Sequence, residues 1–383
     1  MPGNVQLRRA RLAVALQTAT NLPRGAGGDL EITDVKAWTL REPVSKRAYS
    51  VVKVQTRSGI TGFGESSPLS ASEFAGAKAA ITGKPATAFE STAPLLARFR
   101  AARAALNAAM LDVVGKAARA PVYQVLGGPT RSKARALAAL AGDSDTALLD
   151  SLKRAKAAGF LAFMVPAPPS INRNQGQAYV LATKKRLEAL RSAGGDGTDL
   201  VLDGGNRLTP GDAQMVSAAI ERFHVLWFNE PCPPTNMGAL KKLAGENVTP
   251  IGLGSQIREA SEVQELLRED AVDIVRPDLG LNGISQIRRM AAIAETYYVA
   301  VGPVHHGGPI GTAAALHLAA AIPNFFIQQI PLPQAEEDRR MRSELTGTPV
   351  ETVRDGFAEL PSGPGLGVNV NEQVLERYKE VAA

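Results

Sequence analysis

The sequence predicts an α/β fold: a barrel of alternating strands and helices, preceded by a smaller domain of strands and helices. Three observations carry this. Between Lys133 and about Pro331, short apolar segments alternate with Ala/Leu-rich amphipathic ones at the spacing of one β/α unit. There are eight such apolar segments, which favours closure into a barrel over an open sheet, and none is followed by a GxGxxG phosphate loop. At 383 residues the chain exceeds one ordinary core and suits a barrel plus an accessory domain.

Four regions follow. Residues 1–28 read as a leader or disordered segment, because LRRARLAVALQTATNLPRGAGG has a twin Arg and a short apolar stretch interrupted by Gln17, Thr18 and Thr20. A cytoplasmic protein is expected, with export through a twin-arginine-like leader as the alternative. Residues 29–130 read as an α+β domain. LEITDVKAWTLREP, RAYSVVKVQTRSG and TGFGESS are rich in β-branched residues, Arg57-Ser58-Gly59 separates the last two, and apolar residues at three- and four-residue spacing then predict a helical block over 92–119.

Residues 131–331 form the predicted barrel, with strands ARALAAL, FLAFMVP, LVLDGG, VLWFNEP, PIGLGSQ, DIVRPDL, YVAVGPV and FFIQQIP. Residues 332–383 read as a C-terminal segment packing on the first domain, turn-rich until a last helix.

Composition narrows the function. Hydrophobic residues at 45% and charged ones at 21% are ordinary for a globular protein. The single cysteine, Cys232 in NEPCPP, excludes an internal disulfide or a multi-Cys zinc site and reads as a small buried residue. A net charge of +6, spread along helical faces without aromatic interleaving, argues against nucleic acid and suits small anionic substrates. No apolar run reaches the length of a membrane span.

In a barrel the chemistry sits at the C-terminal ends of the strands. Strand two ends in Phe163, Met164, Val165 and Pro166, without an ionisable group. Strand three offers Asp203, Asn206 and Arg207; strand four Asn229 and Glu230; strand five Ser255 and Gln256. Strand six ends in Asp278, strand seven in His305 and His306, and strand eight in Gln328 and Gln329. Each has a structural reading as well: Asp203 as a strand terminator, Glu230 as an ion-pair partner, Asp278 as a cap, one histidine as a packed loop residue. Their joint placement on successive strand ends points to a site.

AAMLDVVGKAARAPVYQVLGGPTR, AVDIVRPDLGLNGISQIRRMAAIAE, GPIGTAAALHLAAAIPNF and LPSGPGLGV resemble the enolase superfamily in its mandelate racemase and muconate-lactonizing branch. DGGNRLTP looks most like the acid-sugar dehydratases. The resemblance spans roughly Leu30 to Tyr378 and implies an α+β capping domain over a modified TIM-type (β/α)7β barrel. It also implies Mg²⁺ held by three carboxylates, a base that removes the proton next to a substrate carboxylate, a sugar-acid or similar small carboxylate substrate, and a homo-oligomer.

Mapped residue by residue, the chain departs from that pattern. The metal positions fall on Asp203, Asn229 and Ser255, and the strand-two lysines on Met164 and Pro166. The His after strand three becomes Gly205, the strand-seven His Val304 and the strand-eight Glu Gln329, while Asp278 survives. Mg²⁺ is held mainly by anionic oxygen, and each unit charge pair at about 4 Å is worth on the order of 4 kcal/mol in a partly buried site. Weak or absent Mg²⁺ is therefore expected.

Two readings follow. One is a barrel with a degraded site that has lost metal-dependent proton abstraction and binds a small anionic or polyol ligand. The other is an enzyme of rearranged site, a dehydratase or racemase/epimerase on a sugar acid or other hydroxycarboxylate. In it His305 or His306 faces Asp278 as a base, and Arg207, Glu230 and Gln329 bind substrate.

Overall fold

The structure, a computed structural model, describes residues 28–170, 173–347 and 349–380. The leader expected over residues 1–28 thus lies, but for Gly28, outside the described residues.

Strands β1 (Ile32–Arg41), β2 (Ala48–Thr56) and β3 (Thr61–Ser66) form the predicted antiparallel meander in the order β1-β2-β3. One face is covered by helices α1 (Ala71–Ile81) and α2 (Arg100–Ala117), with the short α3 (Val122–Val125) leading to the barrel. Helix α1 was not anticipated from the sequence, and the block expected over 92–119 is broken. A 3-10 turn at Ala93–Leu96 precedes Phe99, which leaves helical geometry and sets its ring against Gly76 of α1. Tertiary packing overrides the periodicity there. Gly62 and Gly64 let β3 lie on α2, since a Cβ at either would collide with the Ala109 or Ala105 carbonyl.

The barrel segments alternate as expected: β4 (Lys133–Ala139), α4 (Asp145–Ala157), β5 (Ala162–Pro166), α5 (Gly176–Gly194), β6 (Asp199–Asp203), α6 (Pro210–Ile220), β7 (Phe228–Asn229) and α7 (Met237–Glu246). β8 (Ile251–Leu253), α8 (Ala260–Arg268), β9 (Ile274–Val275), α9 (Leu279–Glu295), β10 (Ala300–Val301), α10 (Pro309–Ala321) and β11 (Gln328–Gln329) complete the series. Parallel ladders run from β4 through to β10, and β11 pairs with β4. β10 and β11 form no ladder: a Val301–Phe325 bridge just before β11 and bonds from Gln328 and Gln329 to the Pro303 carbonyl join these segments.

The apolar sides of these helices bury against the strands in one large core that includes Phe163, Phe228, Val275 and Ile330, and Cys232 is buried as expected. Gly283, at φ 72°, interrupts α9 where its backbone meets Ala104 of α2. Beside it Asn107 and Ser285 exchange two hydrogen bonds of 2.8 and 3.0 Å, which fixes the first domain over the barrel.

The tail divides its attachments. Helix α11 (Glu336–Thr346), which the sequence did not reveal, is followed by the hairpin β12 (Val353–Arg354) and β13 (Phe357–Glu359). β13 adds antiparallel to the first half of β4. Helix α12 (Glu372–Tyr378) then returns to β1, where Trp38 donates to Glu376 at 2.7 Å. Among the described residues no helix is long and apolar enough to cross a membrane.

Candidate active site

The ends of β6, β7, β9 and β11 converge on a connected polar floor. The Asn229 amide donates to Asp203 Oδ1 at 2.8 Å, while its carbonyl oxygen accepts from Trp227 Nε1 and Arg276 Nε, each at 3.1 Å. Arg276 also donates to the Gly302 carbonyl at 2.8 Å and to Gln329 Oε1 at 3.1 Å. Because that oxygen is taken, the Gln329 amide nitrogen is the donor toward His306 Nδ1, at 3.2 Å. The chain Asp203–Asn229–Arg276–Gln329–His306 therefore crosses the mouth, and each link sets the orientation of the next.

Arg276 is fully buried and stacks over the Trp227 ring at 4.9 Å. Burial pushes its guanidinium down to about 10, against the opposing pull of Glu230 and Asp203, so it stays charged at neutral pH. The sequence reading missed this residue. Its signal was an arginine inside the apolar strand segment DIVRPDL.

Glu230, with a left-handed φ of 42°, turns its carboxylate onto the next loop. Its Oε1 accepts from the Gly254 and Ser255 amides at 2.8 and 2.7 Å. Ser255 thus enters the site through its backbone. Through that oxygen Glu230 anchors the loop after β8.

The two histidines are split by one residue of register. His305 is 3% exposed and its Nε2 meets the Gly308 carbonyl at 2.9 Å, with Glu65 Oε1 at 3.9 Å. Burial, opposed by the Gly308 bond, pushes it down to about 3. Glu65, from β3 of the first domain, accepts from the amides of Gly308 and Gly311 at the start of α10. Its own burial raises it to about 7. Arg342 of α11 binds the Gly307 carbonyl at 3.0 Å and pairs with Glu42 and Glu351. First domain and tail together hold the strand-seven loop, and His305 is part of that fastening.

His306 is open toward the mouth but walled on its other sides. Its recessed setting first, then Arg276 and Arg47, push it down to about 4. The Gln329 contact leaves Nε2 carrying the proton, so the free nitrogen is a donor.

The expected His–Asp pair is not formed, because His305 turns to Gly308 and His306 to Gln329. Asp278 stands at the start of α9, paired through the backbone with buried Val304. Burial raises it to about 6, against the Gly280 and Leu281 amides. It shares with His305, His306, Glu65 and Ser67 a cleft of about 60 Å³ between the two domains.

A larger cavity of about 350 Å³ adjoins it, lined by Arg47, His305, His306, Gln329, Leu332 and Asp338. Arg47, on the approach to β2, keeps a buried Nη1 with no hydrogen-bond partner. Arg207 is exposed on the loop after β6, folded over Gly205, and does not line this cavity.

Two family models cover this architecture. Residues 32–127 match the mandelate racemase/muconate lactonizing enzyme N-terminal domain, and residues 147–374 match the enolase C-terminal domain-like family. The chain belongs to the enolase superfamily, in its mandelate racemase/muconate lactonizing branch. It is 28% identical to a D-galactonate dehydratase family member of Streptomyces bingchenggensis, over 87% of this chain and 90% of that one. It is 25% identical to a D-xylonate dehydratase of Haloferax volcanii, over 93% and 90%. Among solved structures, an enolase of Agrobacterium radiobacter with bound Na and L-malate superimposes with a TM-score of 0.83 at 26% identity, covering 92% of this chain and 95% of that one. The acid-sugar dehydratase likeness read from DGGNRLTP agrees with these relatives.

Proposed function

We propose that this protein is an enzyme of rearranged site that acts on a small hydroxycarboxylate of the sugar-acid class, as a dehydratase or a racemase/epimerase. The observation that carries the reading is the satisfied polar chain from Asp203 to His306 beneath a cavity into which Arg47 brings a buried Nη1 with no hydrogen-bond partner. A site losing its purpose would leave buried polar groups orphaned, whereas here every link has a partner. The names of the dehydratase relatives support the enzyme over the purely ligand-binding barrel.

Mg²⁺ does not fit the donors present. Of the three expected positions only Asp203 is anionic, and its Oδ1 already accepts the Asn229 amide. The Asn229 oxygen is taken by two N–H groups, Glu230 Oε1 is turned to backbone amides, and a fixed guanidinium lies among them. Among the described residues no three His, Cys, Asp or Glu side chains gather as a metal-holding group. The reading therefore uses only this chain's own residues.

Arg47 binds the substrate carboxylate. The His306 Nε2–H donates to the carboxylate oxygen on which charge grows as the neighbouring carbon loses its proton. Asp278, ionised above about pH 6, takes that proton. In dehydration it returns the proton to the departing β-hydroxyl, so the products are an enol, which becomes a 2-keto acid, and water. In epimerisation Asp278 keeps that proton and the carbon takes one from solvent water on its opposite face.

A panel of sugar acids tested by thermal shift and by 2-keto acid formation or exchange of the α-proton with solvent decides the matter, run with and without chelator. Turnover that Asp278→Asn lowers about 100-fold supports the reading. Binding without turnover returns the protein to the ligand-binding barrel, and silence across the panel overturns both.

A further inference from the structure

We infer that Arg276 is a built-in replacement for the divalent ion: a permanent cation, carried by the chain, that neutralises the carboxylates at the barrel floor. This goes beyond the substrate reading and does not depend on it.

A buried guanidinium costs several kcal/mol of desolvation and persists only where hydrogen bonds and counter-charge offset that cost. Arg276 has both. Nε, Nη1 and Nη2 each meet an oxygen, on Asn229, Gly302 and Gln329, and the nearest opposing charges are Asp203 and Glu230. Its cradle is shaped for it. A Cβ on Gly302 would come within 3.1 Å of the Arg276 Nη1, and one on Gly252 would collide with Trp227, on which the guanidinium rests.

Asn229 is the residue type this arrangement requires. A carboxylate there could accept from Arg276 and Trp227 but could not donate to Asp203, and two adjacent carboxylates would repel. The neutral amide bridges cation and anion, with an oxygen toward Arg276 and an N–H toward Asp203. One guanidinium against Asp203 and Glu230 leaves the same net charge as a divalent ion against three carboxylates. The changes at Asn229 and Ser255 and the presence of Arg276 thus form one consistent exchange.

The test uses ligand-free protein. Mg²⁺ and Mn²⁺ are titrated by calorimetry and thermal shift, after chelator dialysis, into wild type, Arg276→Lys and Arg276→Met. The expected result is no binding heat and no Tm change for wild type and Arg276→Lys. Arg276→Met leaves Asp203 and Glu230 without their cation and gains a rise of about 2 °C or more at millimolar Mn²⁺. Divalent binding to wild type below millimolar concentration, removed by Asp203→Asn, overturns the inference. So does a folded Arg276→Met that stays indifferent to both ions. Should Arg276→Met fail to fold, the wild-type titration decides alone. Sugar-acid turnover plays no part in these readouts, so its failure stays separate.

Discussion

The floor and the wall of the mouth are built on opposite rules. The floor, from Asp203 through Asn229 and Arg276 to Gln329, turns its polar groups on one another. The wall, where the cleft between the domains meets Asp278, His306 and Arg47, leaves capacity open: an Nη1 with no hydrogen-bond partner, an imidazole N–H toward the mouth, and an amide-capped carboxyl raised to about 6. The floor therefore answers to folding and charge balance, and the proposed ligand contacts fall on the wall. His305 and His306 mark the border, since one residue of register separates a buried fastening from an open donor.

Mutation of each region tests this division. The largest effect is expected at the floor. Asn229→Leu strands Asp203, Trp227 Nε1 and Arg276 Nε and should cost about 3 kcal/mol or more in denaturant unfolding. A loss below about 1 kcal/mol would show that the chain of bonds does not support the fold.

At the wall, Arg47→Met should weaken carboxylate binding about tenfold while leaving Tm within about 2 °C, because Nη1 has no hydrogen-bond partner to lose and the charge it sets against Asp338 is the only cost. The rate should also rise with pH to a plateau above about 6 as Asp278 ionises. A flat profile between pH 5 and 8 would remove Asp278 as the base.

A subtler effect is expected in the fastening of the strand-seven loop. Folded Glu65 holds a proton up to about 7 that the unfolded chain releases near 4.5, so its contribution lowers stability as pH rises through that window. Folded His305, pushed down to about 3, refuses a proton that the unfolded chain takes near 6.5, so its contribution raises stability as pH rises between those values. The two slopes oppose each other between about 4.5 and 6.5. Glu65→Gln should unmask the His305 slope, and Tm should then climb from pH 4.5 to 6.5 more steeply than in wild type. The smallest change belongs to His306→Ala, which should lower stability by less than about 1 kcal/mol while impairing ligand binding or turnover.

Much of the architecture was legible in the chain because it rests on local periodicity. DIVRPDL and FLAFMVP show their strands by apolar runs, and SLKRAKAAG shows its helix by spacing. The break at Phe99 was hidden because it depends on Gly76, which lies 23 residues earlier in the chain. Helix α11 was hidden because EEDRRMRSELT has little apolar periodicity and is held by the buried Arg342, with partners on β10–α10 and on the first domain.

The sequence by itself determined the fold class, the strand ends that carry candidate chemistry, and an amide and a hydroxyl at positions 229 and 255. Only the tertiary structure decided what those two residues touch. Arg276 lies 47 residues from Asn229 and 53 from Gln329, so the hydrogen bonds that make the three one unit exist only once β7, β9 and β11 are side by side. The two histidines likewise have indistinguishable local sequence, and their roles diverge because Gly308 and Glu65 claim one while Gln329 claims the other. Side-chain identity and spacing travel with the chain, but charge compensation and proton position depend on distances that folding alone creates.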